Sequence, residues 1–215
     1  MRNLSGNVRR ATQDIDLDFI RYSLSDAAIE RFIEQLEPEN GIVKHPILEL
    51  NHRDYKGKRV FVVIKDEAGN SFESKIDIGV HNNMDVRQEE YCFDICFQED
   101  RVSLLMNSRE QIIVEKLKSF LRFGARSTRY KDVFDICYLS ECADKERLKG
   151  YINEYIYKDP SLPVNNIDDV IARIERVFRN TSFINSIEKS KKNWLEISVE
   201  EALQRNIDFI RSLLQ

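Results

Sequence analysis

At 215 residues the chain is long enough to bury a sizeable core, and a formal net charge of -4 excludes a general basic nucleic-acid binder. No apolar run approaches the roughly 18 residues needed to cross a bilayer, and the opening Met1-Arg2-Asn3-Leu4-Ser5-Gly6-Asn7 has no apolar core of an export signal. Cys92, Cys96, Cys137 and Cys142 are therefore expected as free thiols of a cytoplasmic protein, at spacings too loose for a zinc knuckle.

The first predicted element is a strand over 14–20. Side chains alternate faces along a strand, so Asp14 and Asp16 share one face while Ile15, Leu17 and Phe19 share the other. Two neighbouring carboxylates repel unless a cation lies between them, and a hard divalent ion with oxygen preference suits that place. The pattern alone fits a solvated surface strand as well as a cation-binding edge. Ser25-Asp26 then signals a helix start, with an amphipathic helix to about Leu36 stopped by Pro38 and Gly41. A short strand is expected from Pro46 to Asn51. A hairpin follows, Arg59 to Ile64 and Phe72 to Val80, joined by the polar turn Asp66-Glu67-Ala68-Gly69-Asn70. Asp77 lies between Ile76 and Ile78, so its carboxylate is expected on the polar face of the return strand, either solvated or completing an acidic pocket with Asp14 and Asp16. Strands at Tyr91 to Phe97 and Val102 to Leu105 complete the strand-rich part.

The apolar period changes at Ser108. Ile112, Ile113, Leu117, Phe120 and Leu121 fall at helical spacing over 109–123, and Gly124 ends that helix. Further helices are predicted over 130–139, 145–157, 167–179 and 198–214. Between Arg109 and Lys131 seven basic residues stand against two acids, a local positive excess able to meet a phosphate backbone. The fold class is α+β, with a strand-rich lobe over 1–106 and a helical lobe over 107–215.

Four short motifs occur in order: Arg10-x-Thr12-x-Asp14-Ile15-Asp16-Leu17, Lys75-Ile76-Asp77-Ile78, Ser108-x-Glu110-x-Ile112-x3-Lys116-Leu117, and Arg129-Tyr130-Lys131-Asp132-x2-Asp135-Ile136. Together they resemble the AbiEii-type toxin nucleotidyltransferases of the polymerase-β-like superfamily, over roughly residues 8–140. The resemblance implies Asp14, Asp16 and Asp77 as ligands of Mg²⁺ or Mn²⁺, and Asp77 as the acid that activates an attacking hydroxyl. It implies Lys116 as a catalytic ammonium at the triphosphate, and Lys131 and Asp132 as substrate contacts. Arg10 and Thr12 would help position phosphate. Asp18 follows the matched motif and is read as a supporting acid. Tyr130 and Phe134 are read as core.

The implied activity is transfer of a nucleoside monophosphate from an NTP to an acceptor such as RNA, in the toxin of a type IV toxin–antitoxin pair with a cognate antitoxin. One departure stands out: the family's glycine-serine phosphate cradle has no good match in Ser5-Gly6-Asn7, which is expected from a start site placed too far downstream or from loss of the cradle. The competing expectations are an inactive or shortened relative that binds nucleotide or a partner, and a metal-dependent nuclease. His45, His52 and His81 have no catalytic spacing.

Overall fold

The computed structural model describes residues 2–10, 14–19, 23–35, 42–52, 55–65, 68–80, 88–93 and 102–214. Thr12, Pro38, Gly41, His81 and Cys96 lie outside the described residues, and of Asp14 and Asp18 only the backbone is described. The fold is α+β. It divides into two compact units, one of residues 11–86 and one of residues 1–10 with 87–215. The first ten residues and the strands past residue 87 thus group with the helices, where the sequence suggested a single boundary near 106.

The unit of residues 11–86 is a four-stranded mixed sheet with one helix. Strands β1 (Asp14–Phe19), β2 (Ile42–His52), β3 (Tyr55–Lys65) and β4 (Ser71–Val80) lie in the order β1-β4-β3-β2. β1 runs parallel to β4, and the other neighbours are antiparallel. The alternation read from sequence decides the faces. Phe19, Val60, Val62, Ile76 and Ile78 are buried in one cluster with Ile29 and Ile33 of α2 (Asp26–Gln35). Each such side chain contributes about 1.5–3 kcal/mol on leaving water. Phe19 and Phe32 lock helix to sheet edge-on, with ring centroids 5.0 Å apart. β2 begins earlier than expected, at Ile42, and runs through Pro46. Proline has no N–H to give a ladder, and the strand tolerates it because β2 is an edge strand whose pairing with β3 shifts register between Lys44 and Ile47.

The second unit opens with α1 (Arg2–Ser5) and a two-stranded ribbon, β5 (Gln88–Phe93) and β6 (Val102–Asn107). The helices are α3 (Arg109–Phe123), α4 (Tyr130–Ser140), α5 (Lys145–Ile152), α6 (Ile167–Phe178), α7 (Thr181–Lys189) and α8 (Val199–Arg211). N-caps explain the starts of all of these but α4: Ser108, Asp144, Asn166, Asn180 and Ser198 each accept a backbone N–H from the first turn. α3 stops at Gly124, whose φ of 57° is costly for any side chain. α7 was not foreseen, although Asn180 followed by Phe183, Ile184 and Ile187 carries its cap and its apolar stripe. Phe120, Phe178 and Phe183 meet at the centre of this unit, with Phe120 5.3 Å from Phe178 and 6.0 Å from Phe183. Phe134 is fully buried and Tyr130 packs on Phe183, so both are core as read.

Candidate functional site

The polar face of the sheet carries one group of the expected residues. In the β1–β4 register Asp16 stands opposite Asp77, and Asp14 opposite Lys75. Directly paired residues on neighbouring strands share a face and lie about 4.8 Å apart, so the register brings Asp16 and Asp77 together. Continuing across the sheet, Asp77 stands opposite Arg59 of β3. Arg59 donates from Nε to Oδ1 of Asp77 and from Nη2 to Oδ2, each at 2.7 Å. This bidentate fork is the strongest form of Arg–carboxylate contact. No signal along the chain singled out Arg59, because only the register reveals that it faces Asp77. On the opposite face of the same strands, Lys58 reaches Asp26 of α2 at 2.7 Å. Among the described side chains no set of three His, Cys, Asp or Glu groups is gathered about a metal position, the side chain of Asp14 being outside that set.

The second group is built within the helical unit. Lys116 of α3 points at α4, where its ammonium lies 2.6 Å from Asp132 Oδ1 and 2.8 Å from Asp135 Oδ2. Those acids are one helical turn apart and so share a face. The lysine is a part-buried ion-pair partner of both acids. Arg10, expected to touch phosphate, places its guanidinium on Asp135, with Nε and Nη2 each 2.7 Å from a carboxylate oxygen. The indole N–H of Trp194 completes the shell at 3.0 Å from Asp135 Oδ1.

Asp135 is thus the hub, fully buried and holding two cations. Burial by itself pushes its carboxyl up, but the Arg10 hydrogen bonds and the charges of Lys116 and Arg10 outweigh it and hold the group below the usual carboxylate range. Burial works against the Lys116 ammonium, and Asp135 and Asp132 together raise it above the ordinary lysine value. Both groups are therefore ionised at neutral pH. Asp132 is left with Oδ2 buried and lacking a hydrogen-bond partner, an acceptor that a bound hydroxyl or amine would satisfy. Lys131, beside it, is half-buried.

Two other motif residues hold the fold. Glu110 is buried and accepts the backbone N–H of Asp144 at 2.9 Å, tying the start of α3 to the start of α5. Ser108 caps α3. Of the seven basic residues from 109 to 131, Lys116 is consumed as described, Lys118 meets Glu115 at 3.5 Å and Arg122 meets Asp159 at 3.4 Å. The basic excess visible in sequence is thus partly neutralised in the fold, while Arg126 and Arg129 remain exposed beside the start of α4. Cys137 is buried and Cys142 exposed, both as free thiols. Among the described residues no helix is long and apolar enough to cross a membrane.

The family model described as "Nucleotidyl transferase AbiEii toxin, Type IV TA system" matches residues 1–202. No curated protein matches the chain. The chain belongs to the AbiEii nucleotidyltransferase toxin family, whose toxins act in type IV toxin–antitoxin systems.

Proposed function

From that membership we propose that the chain is a Mg²⁺-dependent nucleotidyltransferase that moves a nucleoside monophosphate from an NTP to an acceptor, with RNA the acceptor class and a cognate antitoxin its protein partner. The observation that carries the reading is the register of Asp16 against Asp77 on neighbouring strands, inside a chain matched by the family along nearly its whole length. Carboxylate oxygens are the donors a hard divalent cation prefers, so Asp14, Asp16 and Asp77 suit Mg²⁺ in kind. When bound, the cation would neutralise triphosphate charge and polarise the phosphorus under attack. The chain's own groups supply the rest. Asp77 accepts the proton of the attacking hydroxyl. Within the helical unit, Lys116, held by Asp132 and Asp135, keeps the proposed role of a point charge for phosphate oxygens, and the unfilled Oδ2 of Asp132 that of an acceptor for a ligand hydroxyl or amine. Lys131, Arg126 and Arg129 border α4 where an RNA backbone would run, and Thr12 stays a proposed phosphate contact.

The test is label transfer from each α-³²P-NTP to an RNA pool, with and without Mg²⁺. Asp16→Asn should lower transfer by at least about 100-fold without altering the melting temperature, as loss of a charge-stabilising group does. Transfer at the wild-type rate in Asp16→Asn would remove the assignment. A second reading, a module that binds nucleotide or antitoxin without turnover, draws support from Asp77 and Lys116 both being engaged in internal ion pairs. It requires saturable NTP binding with no transfer to any acceptor. RNA shortened in the absence of NTP would point instead to hydrolysis.

A further inference from the structure

We propose that Arg59 is the resident counter-ion of the acidic face, and that a divalent cation binds by displacing it from Asp77. The inference rests on the reading above that Asp16 and Asp77 hold the cation, and it concerns what their carboxylates do before the cation arrives.

Three side chains form a row across three strands: Asp16 on β1, Asp77 on β4 and Arg59 on β3. Asp77 is in the middle, with one neighbour on each side at the strand spacing of about 4.8 Å. The guanidinium takes both oxygens of Asp77 at 2.7 Å each. Because the fork is planar and rigid, it turns the carboxylate toward β3. A cation shared by Asp16 and Asp77 needs an Asp77 oxygen turned the other way, toward β1. Cation and guanidinium compete for the same two oxygens and their charges repel, so cation binding is an exchange of one positive charge for another.

The exchange has a physical reason. Neighbouring carboxylates on one face of a sheet repel in the absence of a cation, and each would lose stability by it. Arg59 offsets that repulsion in the cation-free chain. Its side chain is 31 % exposed and that of Asp77 19 %, so the pair is partly hydrated. Such a pair holds an orientation yet gives way to a divalent ion. Lys75 shares this face of β4 and stays in place in all the variants below, as does Lys58 on the opposite face beside Asp26.

The experiment titrates the full chain with Mn²⁺ alone and reads free Mn²⁺ by electron paramagnetic resonance. The proteins are wild type, Arg59→Gln, Arg59→Lys, Asp16→Asn, Asp77→Asn and the Arg59→Gln/Asp77→Asn double variant. Arg59→Gln should bind Mn²⁺ about 3- to 5-fold tighter than wild type, the factor a partly exposed ion pair is worth. Arg59→Lys, which keeps the charge and loses the fork, should fall between them. In the Asp77→Asn background the gain should vanish. Circular dichroism and melting curves verify folding, and if Arg59→Gln is unfolded the same direction is read from Arg59→Lys. Equal or weaker binding in the Arg59 variants, with wild-type binding still lost in Asp16→Asn, overturns the exchange and leaves the metal site standing. No saturable binding by any of the proteins overturns both.

Discussion

Replacing Asp135 by Asn tests whether the buried hub holds the helical unit together. The carboxylate receives two hydrogen bonds from Arg10 at 2.7 Å, one contact from Lys116 at 2.8 Å and one from Trp194 at 3.0 Å. The amide has the same shape but no charge, and its NH₂ would face a cation. Removing one partner of a buried ion pair costs about 3–5 kcal/mol, chiefly by leaving the other charge uncompensated. Arg10 is left so, its side chain only 11 % exposed, whereas Lys116 keeps Asp132 at 2.6 Å. The expected loss is therefore mid-range, about 4 kcal/mol, a large part of the roughly 5–15 kcal/mol that holds an ordinary domain. Urea unfolding followed by the fluorescence of Trp194, the single tryptophan, reads the helical unit at the cluster itself. Arg10→Met and the double variant complete a cycle, in which the double should lose less than the two single losses combined, by about 1–3 kcal/mol. A loss below about 1 kcal/mol in Asp135→Asn, or strictly additive single losses, would refute the reasoning.

The same group sets an acid limit. A carboxyl held below its unfolded value adds stability above that value and loses it as pH falls through the folded one. The stability gap between wild type and Asp135→Asn should therefore stay level from pH 7 to about 5 and shrink below about pH 4. Arg10 and Lys116, raised in the fold, keep their contributions through that range, because a raised base loses its share only above its unfolded value. A gap that is unchanged at pH 2.5 in urea titrations contradicts this account. In the aromatic centre, Phe120→Ala should cost about 3–5 kcal/mol, since Phe120 is fully buried and packs edge-on against both Phe178 and Phe183; calorimetry showing a loss under about 1 kcal/mol would mean the centre collapses to fill the space.

Where a local rule governs, the sequence and the structure agree. Ser108 and Gly124 bound α3 because a cap and a left-handed stop act within one turn. Most buried residues of β3 and β4 follow from alternation, although Val63 is buried beside Val62, and on β1 Ile15 is exposed while Phe19 on the same face is buried. α7 was missed because it is short and follows α6 after a break of two residues, so its stripe reads as a continuation. β2 was misjudged at its start because proline counts against a strand unless the strand is known to be an edge. Arg59 and the Arg10–Asp135–Trp194 contacts were out of reach for a different reason. Register and tertiary approach join residues 18, 59 and 125 positions apart, and no local pattern encodes such distances. The motif order named candidate residues; it did not show that Asp77 and Lys116 are each held by charges from the same chain.

The order of chain synthesis gives the hub one more meaning. Residues 11–86 are continuous, so the sheet unit has all its strands once that stretch has emerged. The helical unit is split around it. Arg10 finds Asp135 only after more than a hundred further residues have been made, and Trp194 arrives later still. At about 5–20 residues per second the N-terminal arm waits on the order of ten seconds or more for its anchor. During that interval Leu4, whose carbonyl later accepts from the Tyr138 hydroxyl, and Asn7, whose side chain later meets the Trp194 carbonyl, have no docking surface. A ribosome stalled before residue 194 therefore presents a chain whose hub lacks its final contact.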